Sequence, residues 1–262
     1  MKIAEVFDYL KSLNGGWVDY SAGIDAWKAG DPDAELTGIA VGWMSYTAAL
    51  EEAASRGCNL FITHEPTFYD HWDRDEEVLA RPATQAKAER IRELGVTILR
   101  CHDLWDQYPA IGIPDSWGEK LGLGEAIAGE GYYRVYDGGG RDALEIARSI
   151  AERVKDLGQE AVEFAGSPDA PVGRIAVGTG AITPFYEMLT RFEADMVVCT
   201  DDGFTWWRDG AFAIDNDIPV AVVNHPVAEI HGMELLARHL GERFGGVPVH
   251  FIRQSCMYRL IC

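Results

Sequence analysis

Apolar and polar residues alternate along this chain with two different periods, and the switches between them mark its elements. Residues 4–14 place apolar side chains at helical spacing among Glu5, Asp8 and Lys11, which predicts an opening helix. A Gly/Asp-rich stretch over 20–32 follows. The run Thr37-Gly-Ile-Ala-Val41 reads as a strand, 46–56 as a helix, and Asn59-Leu-Phe-Ile-Thr63 as a short apolar strand. A polar loop is expected over 69–82, then a helix over 83–94 and the strand Val96-Thr-Ile-Leu-Arg-Cys101. Strand, helix and strand in this order predict parallel βαβ units.

The second half repeats the style. A strand is expected at 134–136, a loop at Gly138-Gly-Gly140 and a helix over 141–155. Strands follow near 160–165, 173–178, 195–200, 218–224 and 247–252, with helices between the last four. The Gly-rich segment 122–131 is the expected boundary, giving an N-terminal α/β lobe over 1–125 and a C-terminal α/β lobe over 126–262. No tandem repeat or low-complexity segment is visible.

Composition narrows the class. Of 262 residues, 47% are hydrophobic and 25% charged, as in an ordinary globular protein. No apolar run approaches the roughly 18 residues of a membrane span, and the charges within residues 2–11 argue against a signal peptide. With 23 basic and 42 acidic residues the net charge is −19. Such a surface repels phosphate backbones and anionic membranes, so neither nucleic acid nor a membrane is an expected partner. Cys58, Cys101, Cys199, Cys256 and Cys262 form no C-x-x-C pair and read as reduced thiols of a cytoplasmic protein.

The histidines carry the chemistry. His64, His102 and His225 each stand just past an apolar strand, where ligands bind in open α/β sheets. Each has carboxylates nearby: Glu65, then Asp103 and Asp106, then Glu229. A further strand, Met196-Val-Val-Cys-Thr200, ends in Asp201-Asp202. Were these strands to share one sheet, their ends would converge three imidazoles and several carboxylates, a donor mixture suited to Zn, Mn, Fe or Co. Pro226 fits a first helical turn, which would put His225 and Glu229 on one face at i and i+4. His102 and Asp106 have the same spacing in an expected loop. Each pair also has a plainer reading, as a polar strand end or helix start facing water.

The other candidates are weaker. His71 lies in a loop that either overhangs the site or is simply solvated. His231 and His239 read as surface or interface residues, and His250 as a structural one. Trp105 is a candidate pocket-lining residue, while Trp43, Trp117, Trp206 and Trp207 read as core or rim. There is no G-x-S-x-G elbow and no Walker-type phosphate loop. Gly178-Thr-Gly-Ala181 follows a strand but has Thr183 in place of a third dinucleotide-type glycine, so a tight turn explains it better.

These residues carry a family resemblance. Gly23-Ile-Asp25, Thr37-Gly-Ile-Ala40, Ala49-Leu-Glu-Glu-Ala-Ala54, Phe61-Ile-Thr-His-Glu-Pro66, His102 to Asp106, Gly178-Thr-Gly180, Ala194 to Thr200 and His225 to Glu229 together resemble the Nif-three-like family, also called GTP cyclohydrolase I type 2 homologues. The likeness spans about residues 4–252 and matches short members without a central insertion. It implies two intertwined α/β lobes with a dinuclear metal site between them at strand C-terminal ends, often in a ring-shaped homohexamer. By motif position the ligands would be His64, Glu65, Asp106, His225 and Glu229, with Glu229 a candidate bridge. His102, Asp103 and Asp202 would support them from behind. Glu65 departs from the family's second histidine, Asp103-Leu-Trp105 from its Thr-Asn-Leu, and Asp201-Asp202 from its Gly-acid pair. Three carboxylates against two divalent ions leave one positive charge, which a bound hydroxide would balance. The expectation is a metal-dependent hydrolase acting on a phosphoester, nucleotide or cyclic amide-type small molecule. The alternative is a non-catalytic metal-binding or regulatory homo-oligomer.

Overall fold

The structure is a computed structural model that describes residues 1–261. In chain order the elements are α1 (Ala4–Ser12), β1 (Ala26–Ala29), β2 (Ile39–Gly42), α2 (Thr47–Ser55), β3 (Leu60–Thr63), α3 (Glu76–Ala80), α4 (Pro82–Leu94), β4 (Thr97–Arg100) and α5 (Asp103–Gln107). They continue as α6 (Ile113–Leu121), β5 (Ala128–Glu130), β6 (Tyr133–Asp142), α7 (Ala143–Val154), β7 (Glu163–Ala165), β8 (Pro171–Val177), α8 (Phe185–Arg191), β9 (Met196–Thr200), α9 (Ala211–Asp215), β10 (Val220–Val223), α10 (His225–Arg243) and β11 (Val249–Phe251).

The chain divides into two compact units, one of residues 1–108 and 233–254, the other of 109–232 and 255–261 among those described. Residues 109–125, which the Gly-rich segment would leave in the first lobe, belong to the second unit. There α6 packs against β6 so closely that a Cβ on Gly118 would lie 1.7 Å from the Tyr136 hydroxyl.

The first unit holds a five-stranded sheet in the order β1-β4-β3-β2-β11. β4, β3, β2 and β11 run parallel, and β1 adds antiparallel at the edge. β2, β3 and β4 are fully buried, which is why they read as continuous apolar runs, while β11 at the edge is half-buried. Leu50, Phe61, Ile91 and Ile98 form a core cluster on this sheet. α4 starts with Pro82 and stops at Gly95, whose φ of 63° closes the last turn.

The second unit holds a six-stranded sheet in the order β5-β6-β8-β9-β10-β7, with β8, β9 and β10 parallel and the others antiparallel. Its core includes Ala176, Phe185, Met188, Val197 and Val220. Gly138–Gly140 are not a loop but an irregularity inside β6, where the pairing with β8 shifts register between Asp137 and Arg141. Gly139 and Gly140 take φ of 66° and 70° there, and a Cβ on Gly138 would strike the Val172 carbonyl at 2.2 Å.

Three expected irregular stretches contain elements. α3 lies within 69–82, its N-terminus capped by Asp75, which accepts from the Val78 N–H. β1 lies in the Gly/Asp-rich stretch, and α5 occupies the His102–Asp106 segment. Cys58, Cys101 and Cys199 are buried free thiols and Cys256 is free and half-buried; Cys262 lies outside the described residues. Among the described residues no helix is long and apolar enough to cross a membrane.

Candidate metal centre

The four strand ends fall on two sheets rather than one. β3 and β4 are adjacent and parallel, with Thr63 opposite Arg100, so His64 and His102 emerge side by side in the first unit. β9 and β10 are likewise adjacent, with Thr200 opposite Val223, so Asp201-Asp202 and Asn224-His225 emerge together in the second.

In the first unit the Trp43 carbonyl accepts from the backbone N–H groups of both His64 and Glu65, turning the chain as it leaves β3. His64 is wholly buried, and its Nδ1 donates to the Cys101 carbonyl at 3.3 Å. A carbonyl only accepts, so this bond leaves the lone pair on Nε2. That atom lies 3.4 Å from Oδ1 of Asp106, a carboxylate only 3% exposed. The His102 ring stacks on His64 with centroids 4.4 Å apart. Its Nδ1 lies 2.8 Å from Asp103 and 3.2 Å from Asp106. One donor atom each from His64, His102 and Asp106 lies within 4.8 Å of the others.

Helix α5 makes this possible. Asp25 is 2% exposed, and its carboxylate accepts from the backbone N–H groups of His102, Asp103 and Leu104. This fixes the first turn and puts Asp106 one turn after His102. Burial raises the Asp25 carboxyl above its ordinary range, against the pull of those N–H groups. Burial pushes the Asp103 carboxyl up, but its bond to His102 together with the charges of His102, Arg100 and His64 holds it below its ordinary range.

In the second unit α10 begins at His225, and Nε2 of that residue lies 3.0 Å from Oε1 of Glu229 one turn later. His225 Nδ1 lies 2.8 Å from Asp202, whose other oxygen accepts from the Thr200 hydroxyl. Asp201 accepts from the His225 backbone N–H and the Asn224 amide, tying the helix start to β9. Burial disfavours charge on His225, but Glu229 and Asp202 outweigh it and hold its pKa well above the ordinary range. Gly180, at φ 68°, closes the turn over this cluster, and a Cβ there would lie 3.1 Å from His225 Nε2. The Gly178-Thr-Gly180 turn therefore leaves the imidazole and carboxylate uncrowded.

These donors fit a divalent transition metal. Metal–nitrogen and metal–oxygen bonds of about 2.0–2.1 Å put two ligands of one tetrahedral ion about 3.3 Å apart. The measured 3.4 Å and 3.0 Å separations are close to that. A buried imidazole lone pair facing a buried carboxylate also favours a cation or a proton between them. Asp202 behind His225, and the Cys101 carbonyl behind His64, are the hydrogen-bonded supports that orient metal-bound histidines.

A family model, Duf34/NIF3 (NGG1p interacting factor 3), matches residues 1–256. The chain belongs to the Duf34/NIF3 family. Its fold is similar to that of a Bacillus cereus protein related to NIF3, at 12% identity and TM-score 0.79, over 100% of this chain and 98% of that one. Protein ybgI, of unknown function, gives 20% identity and TM-score 0.78 over 96% and 98%. Reduced HcgD from Methanocaldococcus jannaschii gives 17% and 0.71 over the same shares. At these identities the likeness carries the fold alone. Comparison with curated proteins finds no match.

In this NIF3-family chain two residues matter that the motif pattern did not single out. Arg100 ends β4 wholly buried and places its guanidinium 3.4 Å from Glu65. The Glu65 carboxylate thus faces a built-in positive charge. Asp25 is the other, legible only as part of the Gly-Ile-Asp motif. Of the weaker candidates, Trp105 is fully buried and stacks on Tyr108. Trp206 and Trp207 are exposed, at 78% and 63%.

Proposed function

We propose that this chain binds two divalent transition-metal ions, with ligands drawn from His64, Glu65, Asp106, His225 and Glu229, and uses them to hydrolyse a small molecule of the phosphoester, nucleotide or cyclic amide type. The observation that carries the reading is the buried approach of His64 Nε2 to Asp106 Oδ1 at 3.4 Å, with His102 stacked alongside. Zn, Mn, Fe and Co all accept this mixture of imidazole and carboxylate.

Bound ions of this kind supply Lewis acidity and make water a stronger acid. The chain's own residues do the rest. Asp25 holds the helix that carries Asp106, and Arg100 compensates the charge of Glu65. Asp202 keeps the His225 ring oriented through Nδ1, so Nε2 is the atom offered with Glu229. The side chains of His102 and His225 keep 17% and 20% of their surface exposed. That exposure suits a centre exchanging ligands with solvent better than the closed shell of a structural ion.

The test is turnover of phosphoester, nucleotide and cyclic amide panels by metal-loaded protein. Activity is expected on one class and its loss in a folded His225→Ala variant. Full metal loading with no turnover on any panel would replace this reading with a non-catalytic, metal-binding homo-oligomer.

A further inference from the structure

Beside Glu65, within the first unit, lies a cavity of about 490 Å³ lined among others by Met44, Tyr46, Pro66, Tyr69, His71 and Lys87. This volume is in the range of small-molecule sites. Lys87 comes from α4 and is 6% exposed, an unusual depth for an ammonium. Its Nζ donates to the Thr67 carbonyl at 2.6 Å and sits 4.9 Å from the centre of the Tyr69 ring. One of three ammonium hydrogens is thereby committed to the backbone. Tyr69 itself takes φ of 65°, a costly conformation for a non-glycine residue and one that clusters at ligand sites. Tyr69 is 63% exposed and Tyr46 39%, and both line this cavity. The carboxylate on the lining, Asp70, is occupied by the N–H groups of Arg74 and Asp75.

The loop that forms this wall is fixed by the metal-side residues. Arg100 donates to the carbonyls of His64 and His71 while facing Glu65, so the cavity wall and Glu65 hang on one buried guanidinium. Asp73 holds the other end by accepting from the N–H groups of Thr67 and Phe68.

We infer that this cavity binds a small aromatic or heteroaromatic molecule carrying a carboxylate or phosphate, with the Lys87 ammonium facing the anionic group and Tyr46 and Tyr69 flanking the ring. In a protein of net charge −19, a buried cation on a cavity wall is the feature that selects an anion. That this ligand is the substrate rests on the metal reading; its binding does not.

The experiment titrates benzoate, phenyl phosphate and neutral benzamide into the full chain stripped of metal, followed by calorimetry and by the Tyr resonances in NMR. Benzoate and phenyl phosphate should bind and benzamide only weakly. Lys87→Met should weaken both anions at least about tenfold, or ~1.4 kcal/mol, and leave benzamide unchanged. Tyr69→Ala, at an exposed position, should weaken all three and keeps the test open if Lys87→Met does not fold. Carboxylate and phosphate probes show which anionic group is preferred. Anions that bind no tighter than benzamide, an unchanged affinity in folded Lys87→Met, or unperturbed Tyr resonances would overturn the inference. Anion binding by a protein that takes up no metal would sink the metal reading alone. Metal uptake without anion binding would sink this one alone.

Discussion

Arg100 carries a full charge at zero exposure, and its three bonds explain how the end of β3 tolerates a glutamate. Replacing it with Leu removes the charge facing Glu65 and the donors to two carbonyls. Loss of one partner of a buried ion pair costs about 3–5 kcal/mol. Urea unfolding of Arg100→Leu should show a drop of that order, partly recovered in Arg100→Leu/Glu65→Leu; an unchanged midpoint would mean the pair is uncoupled. Lys87 gives a pH signature of opposite kind. Burial lowers its pKa from 10.5 to about 8. Below pH 8 both folded and unfolded chains carry the proton, and the cost of burying the charge is fully present. Between about 8 and 10.5 only the unfolded chain carries it, so stability rises with pH through that window. The stability of the wild type relative to Lys87→Met should therefore increase by about 3 kcal/mol from pH 7 to pH 11. A flat difference would contradict the burial of a charged lysine. Neither residue was legible beforehand, because one arginine in an apolar strand or one lysine on a helix looks like any other until its neighbours are known.

At the scale of elements, the buried strands β2, β3, β4, β9 and β10 were legible because parallel strands covered on both faces read as apolar runs between turns. α2, α4, α7 and α10 followed from their periodicity. The elements β1, α3 and α5 were not legible, since tertiary contacts rather than their own sequence hold them. α5 is five residues long and depends on the Asp25 cap from a segment 77 residues earlier. Among the described residues β1 pairs only along β4, with Ala26 opposite Arg100. Asp25→Ala would leave three backbone N–H groups without their carboxylate. We expect a loss of about 2–3 kcal/mol in urea unfolding, together with weaker metal uptake through displacement of Asp106. Retained stability and uptake would show that α5 forms without its cap.

At the scale of the whole molecule, the α/β class and the family were legible from the order of motifs, whereas the division of the donors between two sheets was implied by the resemblance alone and not by their spacing. Sequence spacing says which residues follow strands but not which strands are neighbours. The resemblance also implies a homohexamer, for which light scattering should give about six times the 28.9 kDa chain mass; a monomeric mass would contradict it. The central claim is metal binding by the strand-end clusters. Its most direct measurement is metal content per chain by mass spectrometry, on tag-free protein purified without chelators, beside Asp106→Ala and Glu229→Ala. The account predicts about two transition-metal equivalents in the wild type and a loss of most of them in the variants. No bound metal, even after soaking with Mn, Fe, Zn and Co, would contradict it.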